Sequence, residues 1–349
     1  MSAGRFSGIA EWLRRARHPA LFLVSVGLLA CSGAPVHSVT ADRLDPDTEI
    51  EPFVDELVSR HGFEREQLEQ ILGGVRVRPE VLEAMARPAE SLDWYQYRPI
   101  FLTESRITKG EEFWRANAET LAQASRQYGV PAEIIVAIIG VETLYGTHKG
   151  KHLVLDSLAT LAFRYPKRSK FFRSELEEFL VLAQQEHFDT PNIKGSYAGA
   201  IGIPQFISSS YRRYAVDFDG NGVRDLLDSE ADAIGSVANY LSKHGWQRDG
   251  AVALPASVSG DKYKDLVKKG MKPNTPVSDM PNFGVVVLYA SENQAPGALI
   301  ELTNKDDTEL WVGLQNFYAI TRYNHSSLYA MAVFQLAREI RKRYSGVEG

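Results

Sequence analysis

Apolar residues recur at helical spacing along most of the chain, in stretches closed by Gly or Pro. The pattern predicts helices over residues 53–60, 65–72 and 79–86. A longer one is opened by the capping-box pattern Thr108-Lys-Gly-Glu111, runs through Phe113, Trp114 and Leu121 to Tyr128, and is ended by Gly129. Pro131 suits the first turn of the next helix, 132–145, which Gly146 closes. Further helices are predicted over 155–163, 171–185, 231–244 and 326–342. Between residues 251 and 318 the period changes. The apolar runs 284–289, 298–302 and 310–314 are separated by polar turns, which predicts a small antiparallel sheet ahead of the last helix. The fold class is α+β, mainly helical.

The N-terminal stretch breaks this pattern. Arg14, Arg15 and Arg17 precede an apolar run over 20–30, about a dozen residues against the roughly 20 needed to span a bilayer. Cys31, the single cysteine, follows Leu28-Leu29-Ala30, which resembles the lipobox of bacterial lipoproteins. Residues 1–30 are therefore expected to be a lipoprotein signal peptide and Cys31 the lipidation site, with no disulfide within the chain. Ser32 in place of Asp after the cysteine implies the outer membrane, on its periplasmic side. Residues 31–48, polar and containing Pro35 and Pro46, read as a flexible tether. A net charge of −5 and a pI near 6.0 argue against an extended nucleic-acid footprint.

Candidate chemistry centres on Glu142. The segment Ile134-Ile-Val-Ala-Ile-Ile-Gly-Val-Glu142 is apolar almost all round, so its helix should be buried. A carboxyl there loses hydration and lies near the negative end of the helix dipole. Both effects favour the protonated acid near neutrality, which is what protonating a leaving-group oxygen needs. The pattern also fits a surface glutamate at a fraying helix end, or a buried one paired with a base such as Arg164.

Ile139-Gly-Val-Glu-Thr-Leu-Tyr-Gly146 resembles the catalytic-acid segment of the membrane-bound lytic murein transglycosylase B family. The resemblance continues in Tyr197-Ala-Gly-Ala-Ile-Gly-Ile-Pro-Gln-Phe-Ile-Ser-Ser-Ser-Tyr211, in Asp232-Ala-Ile-Gly-Ser-Val-Ala-Asn-Tyr-Leu241 and in Tyr323-Asn324. It implies a lysozyme-like core, a helical domain and a small β domain. The corresponding segments are a helical and lysozyme-like catalytic core over 49–250, a β-rich insert over 251–320, and a cleft segment with the C-terminal helix over 321–349. It also implies non-hydrolytic cleavage of the β-1,4 bond between N-acetylmuramic acid and N-acetylglucosamine in peptidoglycan, leaving a 1,6-anhydro end. Most glycosidases need two carboxylates, whereas only Glu142 lies in such a motif, so Glu142 would act as acid and then as base.

Carried over by motif, Ser196 and Gln205 should line the cleft, and Tyr97, Tyr240, Tyr323, Asn324 and Tyr329 should offer sugars stacking faces and polar contacts. The pair Lys167-Arg168 resembles the family's segment for peptide carboxylates. The family usually has two arginines there, so Lys167 departs by offering a point charge. Peptidoglycan glycan strands are the implied partner, with the membrane through the lipid anchor and cell-wall synthesis or remodelling proteins as others.

The stretch 217–232 reads as an EF-hand-like loop. Asp217, Asp219 and Asn221 stand at positions one, three and five, Gly222 at the sharp turn, and Val223 at the position that gives a backbone carbonyl. Asp225 takes position nine. Position twelve is Asp228 in place of Glu, while the family's closing carboxylate lies further on, at Asp232, so either Asp closes the site. The implied cofactor is a structural Ca²⁺. A hydrolytic muramidase on the same fold and a non-catalytic peptidoglycan-binding lipoprotein are the alternatives. A metallopeptidase is disfavoured because His148 and His152 lack a His-Glu-x-x-His arrangement.

Overall fold

The helix Ala132–Thr143 has no polar face because other helices cover it on every side. In the computed structural model, which describes residues 42–86, 92–288 and 294–346, every residue from Ile134 to Thr143 is buried. Helices Glu104–Ala116, Ala118–Tyr128, Glu230–Lys243 and Ser327–Ser345 pack around it. At roughly 1.5–3 kcal/mol per fully buried large aliphatic side chain, Ile135, Val136, Ile138 and Ile139, which have no exposure, form a large part of the local core.

The described chain divides into two compact units. One comprises residues 42–86 and 150–200, the other 92–149 and 201–346.

In the first unit, helices Glu51–His61, Arg65–Gly73 and Pro79–Met85 are joined by Val154–Arg164 and Ser169–Gln185. The short strands His152–Leu153 and Lys194–Gly195 pair antiparallel. Residues 42–48, within the stretch read as a tether, are folded. Asp45 caps the turn Pro46–Ile50, Val77 N donates to Asp42 O, and Arg164 forms an ion pair with Glu49. Local polarity and Pro46 suggested a tether, yet these partners lie tens of residues away in sequence.

The second unit holds a five-stranded antiparallel sheet in the order Thr275–Pro276, Pro296–Thr303, Thr308–Gly313, Ala253–Val258, Val285–Val287. One face encloses a small core of Leu266, Val277, Met280, Val285, Leu310 and Val312. From the other face, Trp311 meets Phe334 of the C-terminal helix edge-on, 6.1 Å between ring centroids. The strand Ala253–Val258 was not evident in the sequence, and Tyr289, at the end of the 284–289 run, lies outside the described residues.

Several helix assignments differ from the sequence reading, which also lacked Ser208–Tyr214, Lys264–Val267 and Gln315–Tyr323, and two of the differences have a clear physical cause. The single helix ending at Tyr128 is two helices, because Asn117 leaves helical geometry at φ −113°, ψ 24°. Its side-chain amide donates to Phe113 O and to Glu230. The real N-cap is Thr103, whose hydroxyl accepts from Arg106 N at 3.2 Å. Thr108 sits inside the helix, where Arg343 donates to its hydroxyl at 2.6 Å. A capping-box pattern spans four residues and does not register such tertiary partners. The helix Trp94–Phe101, capped by Asp93 and Gln96, was missed because Pro99 lies within it.

Candidate active site

Glu142 is the penultimate residue of its helix and only 7% exposed. The helix ends in two consecutive left-handed residues, Leu144 (φ 51°) and Tyr145 (φ 58°). Thr143 is buried beside the acid. Its hydroxyl donates to Ile203 O at 2.8 Å and accepts from Gly146 N at 2.9 Å, which ties the helix end to the segment carrying Gln205. Burial raises the Glu142 pKa to about 7, and the Tyr329 hydroxyl, donating to Oε1 at 2.6 Å, pulls it back. Neither cause is another carboxylate. A carboxyl with that pKa both gives and takes a proton near neutrality.

Tyrosines extend away from Glu142. Tyr329 lies in the first turn of Ser327–Ser345, set by the Ser326 cap, and stacks on Tyr323 at 6.5 Å with the rings 10° apart. Tyr323 donates its hydroxyl to Pro204 O at 2.6 Å and meets Tyr240 edge-on at 4.9 Å. Tyr240 donates to Arg322 O at 2.5 Å and stacks on His244 at 4.0 Å. Tyr97, half-buried on Trp94–Phe101, has its pKa raised by burial and by the charge of Glu142.

Tyr329 has no exposed surface and Tyr240 only 8%. Tyr329 bonds to the acid, and Tyr240 packs against Tyr323. Asn324 is half-exposed just after Tyr323. Gln205 is left-handed (φ 54°), and its side-chain amide donates to Gly202 O at 2.8 Å and Lys149 O at 3.1 Å.

The remaining sugar and peptide candidates belong to the first unit. The Ser196 hydroxyl accepts from Ala198 N and Ala200 N at 3.2 and 3.0 Å, fixing a tight turn. Lys167 and Arg168 are exposed in the turn Pro166–Arg168, with the Arg168 guanidinium 4.3 Å from the centre of the Phe171 ring.

In the 217–232 loop, Asp217, Asp219 and Asp232 bring carboxylate oxygens within 4.8 Å of one another. Asp232 has no exposed surface and takes N–H bonds from Phe218 at 2.7 Å and Asp225 at 2.8 Å. Burial raises its pKa, those bonds oppose the rise, and Asp219 adds to it. Three carboxylates at this spacing suit a hard cation that takes several oxygen ligands. Gly222 turns at φ 91°, and the Asn221 side-chain oxygen accepts from Val223 N at 2.8 Å. Asp228 does not join the group. It pairs with Lys149 at 2.6 Å, with its side chain 78% exposed. Asp225 also turns aside, accepting from Leu227 N and Asp228 N.

Residues 45–338 match the protein family described as Transglycosylase SLT domain. Membrane-bound lytic murein transglycosylase B of Escherichia coli (strain K12) is 42% identical over 298 residues, covering 82% of this chain and 81% of that protein. The structure of the Escherichia coli lytic transglycosylase Slt35 in complex with calcium superposes with a TM-score of 0.78 at 40% identity, covering 90% of this chain and all of that one. SltB3 from Pseudomonas aeruginosa, in complex with NAG-NAM-pentapeptide, gives a TM-score of 0.74 at 30% identity, covering 84% and 80%. The chain belongs to the lytic transglycosylases. Its α+β fold is the lysozyme-like one of that family.

Sequence reasoning missed several residues of this transglycosylase. Thr143 was inside the quoted motif, but nothing local shows that its hydroxyl bridges to Ile203. Arg106 donates to Gly140 O at 3.1 Å, just before Glu142, from a position with no motif. Lys149 touches Asp228 and Leu227 O through its ammonium and Gln205 through its carbonyl. Cys31 lies outside the described residues. Among the described residues, no helix is long and apolar enough to cross a membrane.

Proposed function

We propose that this transglycosylase cleaves the β-1,4 bond between N-acetylmuramic acid and N-acetylglucosamine without water, with Glu142 as acid and then base. The observation that carries the reading is the buried Glu142 carboxyl, whose pKa lies at about 7, held by Tyr329 and, among the described residues, shifted by no second carboxylate. Protonated Glu142 gives its proton to the glycosidic oxygen as the bond to muramic C1 breaks, releasing the N-acetylglucosamine 4-hydroxyl. The oxocarbenium-like centre is assisted by the substrate's own N-acetyl group. The muramic C6 hydroxyl then attacks C1, and the Glu142 carboxylate takes its proton, which restores the acid. No water is consumed, so one carboxyl suffices where hydrolysis normally uses two.

In the second unit, Tyr97, Tyr323, Asn324 and Gln205 contact the sugars; in the first unit, Ser196 contacts sugar and Lys167 with Arg168 meets peptide carboxylates. The complex of the related SltB3 with NAG-NAM-pentapeptide supports a substrate of this kind. Asp217, Asp219, Asn221, Val223 and Asp232 hold a structural Ca²⁺, in keeping with the calcium complex of Slt35. When bound, the ion would neutralise the converging carboxylates and fasten the loop to the helix carrying Tyr240. Lipidation at Cys31 places the enzyme on the periplasmic side of the outer membrane, a reading that the membrane-bound relative supports.

Mass spectrometry of muropeptides released from purified peptidoglycan by the form lacking residues 1–31, beside Glu142→Gln, tests the reaction. Products one water lighter than ordinary muropeptides, absent with the variant, are expected. Hydrated reducing ends would make the enzyme a muramidase, and no release by either form would leave a binding protein.

A further inference from the structure

Arg106 is half-buried in the second unit, and its side chain donates to three backbone carbonyls. Nε reaches Gly140 O at 3.1 Å, and Nη1 reaches Ile100 O at 2.6 Å and Phe101 O at 3.3 Å. These carbonyls belong to the last turns of two helices, Ala132–Thr143, which carries Glu142, and Trp94–Phe101, which carries Tyr97. The C-terminal ends of helices carry partial negative charge and carbonyls that lack helical donors. Gly140 O already accepts from Leu144 N at 3.2 Å, so there the guanidinium adds a second bond, and with its fixed fork geometry and a charge it keeps even when burial lowers its pKa it ties both helix ends at once.

The backbone of Arg106 is fastened to the same place. Its carbonyl accepts from the Tyr145 hydroxyl at 2.9 Å. That ring lies in a slot made by two glycines. A Cβ on Gly140 would come within 2.4 Å of the Tyr145 oxygen, and one on Gly110 within 2.5 Å. Gly140 and Tyr145 flank Glu142 by two and three residues, so the clamp grips the chain on both sides of the acid. It also explains how Leu144 and Tyr145 are held in left-handed conformations that non-glycine residues rarely adopt.

We propose that Arg106 is a positioning residue for Glu142, fixing the turn that bears the carboxyl against the helix that bears Tyr97. The proposal rests on Glu142 being the catalytic acid. Arg106 touches neither substrate nor the carboxyl in this role. It acts on where the carboxyl stands, and a displacement of about 1 Å at an acid costs on the order of 10²-fold in rate.

The test measures kcat and KM on solubilised glycan strands for the full chain, Arg106→Met, Arg106→Lys, Tyr145→Phe and Glu142→Gln, normalised to folded protein by circular dichroism. Arg106→Met is expected to lower kcat by about 10- to 100-fold with KM nearly unchanged. Arg106→Lys should recover part of the loss, because a lysine restores the charge but not the fork. Tyr145→Phe keeps the ring in its slot and removes only the bond to Arg106 O, so it stays folded. Its expected loss in kcat is about 2- to 10-fold, again without a change in KM. Unchanged kcat per folded molecule in Arg106→Met and Tyr145→Phe, with only a lower Tm, would overturn the proposal. A raised KM at constant kcat would do the same by making Arg106 a substrate contact. If Glu142→Gln kept wild-type activity, the reading of Glu142 itself would fail and this proposal with it. An inactive Glu142→Gln beside a fully active Arg106→Met would reject the positioning role alone.

Discussion

Glu142 and Asp232 are both carboxylates buried on helices of the second unit, and burial raises the pKa of each. They differ in what surrounds them. Glu142 lies at the negative end of its helix, receives one hydroxyl bond from Tyr329 and, among the described residues, is shifted by no other carboxylate. Asp232 lies in the first turn of Glu230–Lys243, receives backbone N–H bonds at both oxygens, and has Asp217 and Asp219 beside it. The same functional group thus stands in two different electrostatic settings. A lone carboxyl at a helix C-terminus answers to protons, whereas one inside a cluster of like charges with fixed N–H donors answers to a cation.

The sharpest way to break this comparison is Glu142→Gln, which should lower glycan cleavage by about 10²- to 10⁴-fold, read by muropeptide release. The same variant tests the electrostatics. With an unfolded value of 4.5 and a folded value of about 7, wild type binds more protons folded than unfolded in that window. The contribution of Glu142 to stability is therefore complete below pH 4.5 and lost as pH rises through 7, on the order of 3 kcal/mol. Glu142→Gln carries no such penalty, so thermal melts at pH 8 should place it above wild type by several degrees, with the gap shrinking at pH 5.

Asp232 should behave in the opposite sense. Asp232→Ala, or chelation of wild type, is expected to lower Tm by several degrees and leave the chemical identity of the products unchanged. Calcium at about 100 times its Kd is worth about 2.7 kcal/mol. Calorimetry with and without calcium reads this, and identical melting curves would remove the metal from the comparison.

A smaller effect isolates the hydroxyl at Glu142. Tyr329→Phe removes the bond that lowers the acid's pKa, so the pKa should rise further and the basic limb of the kcat–pH profile should move to higher pH. A basic limb that stays in place would mean that Tyr329 does not tune the acid. The smallest effect is expected for Asp228→Ala. Exposed ion pairs such as that with Lys149 contribute about 0–1 kcal/mol, so calcium titrations should give nearly the wild-type affinity. A large loss of affinity would return Asp228 to the metal site.

Much of the comparison was legible in the sequence, for reasons tied to particular residues. An acid in an otherwise apolar helix announces burial, because a helix apolar all round must be covered all round, and Ile134–Val141 carried that signal without help. The Asp-x-Asp-x-Asn-Gly spacing is a local geometry, so the turn of the acidic loop was readable too. Which later acid joins it was not: Asp228 and Asp232 are both near the right distance, and only the fold shows Asp228 turned toward Lys149 and Asp232 beside Asp217 and Asp219. The tyrosines were recognisable as a group, but their roles depended on burial. Tyr329 and Tyr240 support the acid and Tyr323 from behind.

Sequence was enough for the burial of the Glu142 helix, the turn of the acidic loop 217–232 and the presence of a small sheet, because each follows from spacing along a few consecutive residues. The tertiary structure alone decided that Tyr329 meets Glu142 across 187 positions of chain, that Arg106 ties two helix ends together, and that residues 42–48 are folded. Those outcomes rest on single hydrogen bonds and ion pairs between distant segments. Such contacts are directional and short-ranged, so they exist only once packing has brought their partners within about 3 Å.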